Sequence, residues 1–189
     1  MSRSLTPHKL SACTDLLPGP ASCQASRWET GTASFEAIAG IQAAVEYIAS
    51  LGVRTGLARP EDSLRTRLEA SYQVIKDHEH NISELFLTEA RTIPGLTVHG
   101  LTEVEDISRR TPTFSLSMEG VTAQELARSL VARGLLCGAG HFYALGFPRV
   151  MDLERNGGYT RIGFVHYNTM EEVRRVVTAL REVALERPE

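Results

Sequence analysis

From residue 34 onward the chain alternates between two spacings of apolar positions, and each predicts a different element. Phe35, Ile38, Ile41, Val45 and Ile48 recur at steps of three and four, which predicts one face of a helix, with Ser34 capping its start and Gly52 closing its end. Gly40 and the alanines beside it leave room for another backbone, so this helix is expected to be well covered. After a turn at Arg59-Pro60, the positions Leu64, Leu68, Tyr72, Ile75, Ile82 and Leu85 predict a longer helix from about Glu61 to Arg91, ended by Pro94-Gly95. Shorter elements follow. Thr97–Leu101 and Thr113–Met118 read as strands, the second with Phe114 and Leu116 alternating against serines. Thr122 with Glu125 forms a capping-box spacing ahead of a helix through about Arg133, with Leu126, Leu130 and Val131 as its buried stripe. Gly134 stops that helix, and Leu135–Gly138 and Arg161–His166 read as further strands. Thr169 with Glu172 repeats the capping spacing before a last helix whose Val173, Val176, Val177, Leu180 and Val183 are continuous on one face. The expected architecture is α/β: long helices, then two helices against a small sheet.

The pattern divides the chain into three stretches. Residues 1–26 hold Pro7, Pro18, Gly19 and Pro20 among serines and cysteines, a composition for an extended lead-in. Residues 27–93 carry the long helices, and residues 94–189 form a compact α/β unit. With 189 residues and 42% hydrophobic composition, the chain can bury one sizeable core or two small ones. A net charge of -3 and scattered arginines give no basic surface for nucleic acid. No apolar run approaches the roughly 20 residues that cross a bilayer, and no signal-peptide core is evident, so a cytoplasmic location is expected. Cys13, Cys23 and Cys137 form no close pair, which offers neither a zinc nor a redox site. Cys137 reads as a small buried hydrophobe without a basic neighbour to activate it.

Three places have the residue types for chemistry. Gly31-Thr32 precedes a helix, where free amides and a side-chain-free backbone suit an anion, although a plain helix-entry turn has the same composition. Arg161 lies on an expected strand beside Gly163; a guanidinium there can take a carboxylate with two parallel hydrogen bonds, or simply pair at a sheet edge. His141, in Gly140-His141-Phe142-Tyr143-Ala144, can contact a ligand or merely pack. His78 and His80 stand two apart on a helix, do not share a face, and read as solvated rather than metal-binding. Gly138-Ala139-Gly140 lacks the third glycine and following helix of a dinucleotide loop.

Taken together, Arg27-Trp28-Glu29-Thr30-Gly31-Thr32 and Arg161-Ile162-Gly163 with His166-Tyr167-Asn168-Thr169 resemble the class V aminotransferases and cysteine desulfurases, which use pyridoxal phosphate. The resemblance runs from about Leu5 to Val183. It implies the C-terminal part of a fold-type-I, pyridoxal-phosphate-dependent transferase. Residues 27–93 would then be the edge of a large domain with connecting helices, and 94–189 the small domain. It further implies that Gly31 and Thr32 reach the cofactor phosphate across a homodimer, and that Arg161 holds the carboxylate of an amino-acid substrate. His141 would lie on the loop near that substrate. Desulfurases place a nucleophilic cysteine on this loop, and here Tyr143 stands in its position. A phenol with a pKa of about 10 is a poorer nucleophile at neutral pH than a thiol near 8.5.

The family's chemistry needs a lysine to hold the cofactor as a Schiff base, and in the family that lysine lies upstream of the Gly-Thr segment. The chain has two lysines, Lys9 and Lys76. His8-Lys9 looks like the family's His-Lys pair, but Lys9-Leu10-Ser11 with Pro18 and Pro20 matches a later family segment. No catalytic residue and no covalent attachment of the cofactor are therefore expected in this chain. The expectation is an inactive C-terminal portion that forms a homodimer or joins a missing N-terminal half. The alternatives are a non-enzymatic dimerisation or binding module derived from the family, and an incomplete reading frame whose other half is encoded upstream. Early helices deprived of a central sheet would expose apolar faces and seek a partner.

Overall fold

The structure, a computed structural model, describes residues 31–186. The chain divides into two units, residues 1–48 and 49–189. Helix α1 spans Phe35–Arg54, so its last turns belong to the second unit. Its first turns do not match the expected covering: Phe35 is 70% exposed and Ile41 66%, with Ile38 exposed between them. Gly40, expected to admit a neighbouring backbone, faces open space among the described residues.

Gly52 does not close α1. It lies within the helix where α1 crosses α2, Leu64–Ala90, and a Cβ there would stand 2.9 Å from Ser71 N and 3.0 Å from Arg67 O. Its amide donates to the buried Ser71 Oγ at 2.7 Å, and that hydroxyl donates to Arg67 O at 2.8 Å. The chain instead turns at Gly56, whose φ of +76° lets Leu57 and Ala58 return their amides to Gly52 O. Helix α2 starts three residues later than expected because Ser63 caps it, accepting from Thr66 N at 3.1 Å.

Four strands form one antiparallel sheet: β1 Leu96–His99, β2 Thr113–Met118, β3 Gly138–Gly140 and β4 Tyr159–Gly163, in the order β1-β2-β4-β3. A 3-10 helix, Val104–Arg109, joins β1 to β2. Helix α3, Ala123–Ala132, follows β2; a short α4, Gly146–Val150, precedes β4; and α5, Met170–Glu186, ends the described chain. Both capping boxes form. Thr122 and Glu125 satisfy each other's backbone amides, as do Thr169 and Glu172. The hydrogen bonds from Thr122 hold the Glu125 carboxyl below its ordinary range, and those from Thr169 and Asn168 do the same for Glu172.

One sheet face packs on α2, α3 and α5. Phe86 from α2 meets Phe114 of β2 at 4.2 Å between ring centroids, and Phe164 lies 5.8 Å from Phe86. Leu116, Met118, Leu126, Leu130, Val173, Val177 and Leu180 fill the same core. The second half of α2 thus joins the two expected helices against the sheet. Val131, expected in the buried stripe of α3, is exposed; Ala123, Leu126, Ala127 and Leu130 form the inward face.

Three strands differ in their bounds from the expected ones. β1 stops at His99 because Gly100, at φ +96°, turns the chain away. β4 starts two residues earlier than expected, and Phe164 leaves it to donate its amide to Pro112 O at 2.9 Å. The expected strand Leu135–Gly138 is replaced by Gly138–Gly140, with Leu136 exposed and Cys137 outside the strand. Gly138 pairs there, with the Phe142 ring so close that a Cβ would stand 2.9 Å from it, and glycine is needed at 158, where a Cβ would collide with the Gly140 backbone. Burial pushes the Cys137 thiol up, and its Sγ lies 3.8 Å from Ala127 O, which fits an inert half-buried cysteine.

Candidate functional site

Strand alternation decides what β4 offers to each side. Ile162 and Thr160 point to the helices, where Thr160 Oγ1 donates to Ala123 O at 2.9 Å. Arg161 therefore projects from the opposite, outer face. It sits in register with Ser115 of β2 on one side and Gly138 of β3 on the other. Among the described residues its guanidinium has no hydrogen-bond or ion-pair partner. Its contact is the Phe142 ring, 4.0 Å from the guanidinium carbon to the ring centroid.

The loop after β3 supplies that ring. Phe142 and Tyr143 both have positive φ, 48° and 64°, which is uncommon for one bulky residue and more so for two in succession. Local bonds hold the turn: Ala144 N donates to His141 O at 2.8 Å, and Tyr143 N to His141 Nδ1 at 3.1 Å. Gly138 leaves space for the ring, since a Cβ there would stand 2.9 Å from Phe142 Cε1. Behind Phe142 the outer face carries a row of rings. Tyr159 lies 5.2 Å from Phe142, Phe147 of α4 lies 5.1 Å from Tyr159, and the His99 ring lies 6.0 Å from Phe147. His99 Nε2 is 2.8 Å from Ser117 Oγ, and burial holds its pKa below the ordinary histidine value.

The residues singled out from sequence are distributed as follows. Arg161 is exposed on the outer face, without a hydrogen-bond partner among the described residues. His141 is exposed on the neighbouring loop, where it braces the Tyr143 amide and stands edge-on to the Tyr143 ring at 6.3 Å. The ring between these two places is Phe142. Tyr143 is 98% exposed. Gly31 and Thr32 form an exposed bend ahead of α1, with nothing among the described residues within 4 Å of a Cβ placed on Gly31. Trp28 and the rest of the first motif, and Lys9, lie outside the described residues, as do Cys13 and Cys23.

His78 corrects the expectation of a solvated histidine pair. It is half-buried, and its Nε2 lies 2.8 Å from the Asn168 carbonyl, tying α2 to the start of α5. Asn168 in turn accepts the Val165 amide on Oδ1 at 2.9 Å. The Tyr-Asn-Thr segment is thus a backbone brace at the end of β4. Among the described residues no cluster of three potential ligands could hold a metal, and no helix is long and apolar enough to cross a membrane.

Chemically, this face can bind a carboxylate. The guanidinium is planar, carries its N–H donors in its plane, and has no hydrogen-bond or ion-pair partner among the described residues. The face lacks an amine: Lys76, the lysine among the described residues, lies on α2, which packs against the other side of the sheet. The described residues therefore fit the carboxylate of an amino acid and do not fit attachment of an aldehyde cofactor.

The model of the Aminotransferase class-V family matches residues 61–176. An aminotransferase-like protein of Gibberella zeae is 28% identical over 171 residues, 76% of this chain and 41% of that protein. A cysteine desulfurase of Shigella flexneri is 24% identical over 157 residues, 83% of this chain and 32% of the enzyme. The apo structure of cysteine desulfurase from Thermococcus onnurineus NA1 aligns with a TM-score of 0.57 at 18% identity, covering 65% of this chain and 29% of that one. At that identity the likeness is one of fold. The chain spans less than half the length of these relatives.

Proposed function

The chain belongs to the class-V aminotransferase family, and from that premise we propose that it is the C-terminal, substrate-carboxylate-binding part of a pyridoxal-phosphate-dependent enzyme acting on amino acids, without turnover of its own. The observation that carries this reading is Arg161: an exposed arginine without an ionic partner among the described residues, its guanidinium carbon over the Phe142 ring. In this proposal Arg161 takes the substrate α-carboxylate, and His141 lies beside the bound substrate. The open Gly31-Thr32 bend takes the cofactor phosphate of a second subunit. The amine that carries the cofactor comes from a partner half. When bound, the cofactor supplies the electron sink for chemistry at the amino acid's α-carbon; the residues described here bind and orient. Tyr143 at the desulfurase cysteine position supports a reaction other than persulfide formation on this loop. A cytoplasmic location is part of the same proposal.

Treating the purified chain with pyridoxal phosphate and borohydride tests the division of labour. No lysine of this chain should be labelled in step with amino-acid turnover. Labelling of Lys9 together with turnover would refute the proposal.

A second reading, a non-catalytic dimerisation or binding module, is favoured by the exposed Phe35, Ile38 and Ile41 on α1. It predicts self-association in sedimentation experiments together with an Arg161 that ignores amino-acid carboxylates.

A further inference from the structure

We propose that Phe142 is a positioning residue for Arg161, and that Gly138 is glycine so that the Phe142 ring can lie there. The inference rests on the reading of Arg161 as the carboxylate-binding group, and adds what makes that arginine competent.

An arginine on the open face of a sheet has a long, flexible stem, and ordering it on binding opposes association. Stacking removes much of that freedom in advance. It uses the faces of the guanidinium, whereas all of its N–H donors lie in the plane, so a stacked guanidinium can still offer two parallel donors to a carboxylate. The guanidinium carbon lies over the Phe142 ring, 4.0 Å from its centroid, which is the position such stacking requires. Three features place the ring. The backbone of Phe142 is at φ +48°, a conformation a bulky residue adopts only when its surroundings impose it. Tyr159, buried and 5.2 Å away, backs the ring from the sheet. Gly138, directly across the ladder from Arg161, lacks the Cβ that would collide with the ring edge at 2.9 Å. Strand, loop and glycine thus converge on one contact.

The test uses the full chain labelled with 15N, L-alanine as the carboxylate probe, and the Arg161 Nε–Hε resonance as the reporter. In the unsubstituted chain this proton should be displaced upfield by the ring and should shift saturably with L-alanine. Phe142→Leu should remove the ring displacement and weaken L-alanine binding by about two- to fivefold, the range expected for a cation–π contact at an exposed site. Gly138→Ala, which pushes the same ring aside from the strand, should weaken binding by a similar factor; it also carries the test if Phe142→Leu does not fold. Phe142→Tyr should restore both signals, which a merely structural role would not require. Unchanged affinity in Phe142→Leu and Gly138→Ala, with binding abolished in Arg161→Ala, would overturn the role of Phe142 while leaving the carboxylate reading intact. An Arg161 signal indifferent to L-alanine in the unsubstituted chain would sink both.

Discussion

Two glycines on the same helix should respond to the same substitution with opposite signs. Replacing glycine by alanine within a helix ordinarily stabilises it by about 0.8–1.0 kcal/mol, because alanine has less backbone freedom to lose. At Gly40 nothing among the described residues lies within 4 Å of the added methyl, so Gly40→Ala should gain that full amount. At Gly52 the methyl would stand 2.9 Å from Ser71 N and from Ala70 Cβ, and 3.0 Å from Arg67 O. Two of these three atoms are backbone, so relief requires α1 and α2 to separate. Overpacking of that kind costs about 1–3 kcal/mol. Separation also stretches the 2.7 Å bond from Gly52 N to the buried Ser71 Oγ, a loss of about 1 kcal/mol. Set against the propensity gain, Gly52→Ala should be destabilising by about 1–3 kcal/mol. Amide hydrogen exchange reads both effects in place. Gly40→Ala should slow exchange of neighbouring α1 amides by about fivefold, whereas Gly52→Ala should accelerate exchange at Gly52's neighbours and around Ser71. Slower exchange in both variants would show that the helix crossing yields freely and that the close approach is not what requires glycine.

Phe114 is fully buried between Phe86 and Phe164, with Arg110 over its ring; Phe114→Ala should cost about 3–5 kcal/mol, read as a lower urea midpoint or as failure to fold. His99 makes a pH-dependent contribution. Burial lowers its pKa from 6.5, so as the pH falls through that value the unfolded chain takes a proton that the folded chain still refuses. Stability is therefore complete above about pH 7 and is lost as the pH drops toward the folded value. Urea titrations should show a smaller loss between about pH 7.5 and about pH 5.5 in His99→Gln than in the parent chain. An identical loss in both would rule out His99 as the group responsible.

Much of the fold follows from short-range pattern. The alternation from Thr113 to Met118, both capping boxes and the apolar face from Val173 to Val183 each depend on residues within a turn or two, where spacing alone determines which groups meet. The two motifs that indicate the family are also legible, because the residue types are themselves the signal. What spacing could not reveal is anything decided by a neighbour distant in sequence. Gly52 reads as a helix stop and is a crossing point, since Ser71 lies on the other helix. Leu135 and Leu136 read as a strand, but Gly138–Gly140 are the residues that pair with β4, with the Phe142 ring lying against Gly138. His78 reads as solvated until Asn168, ninety positions later, receives it. The candidate site divides in the same way: sequence names Arg161, and only the folded sheet sets it opposite Gly138 and beneath Phe142. Local order is encoded where the interacting atoms are covalent near neighbours, whereas packing geometry is encoded only in the sum of contacts that closes the core.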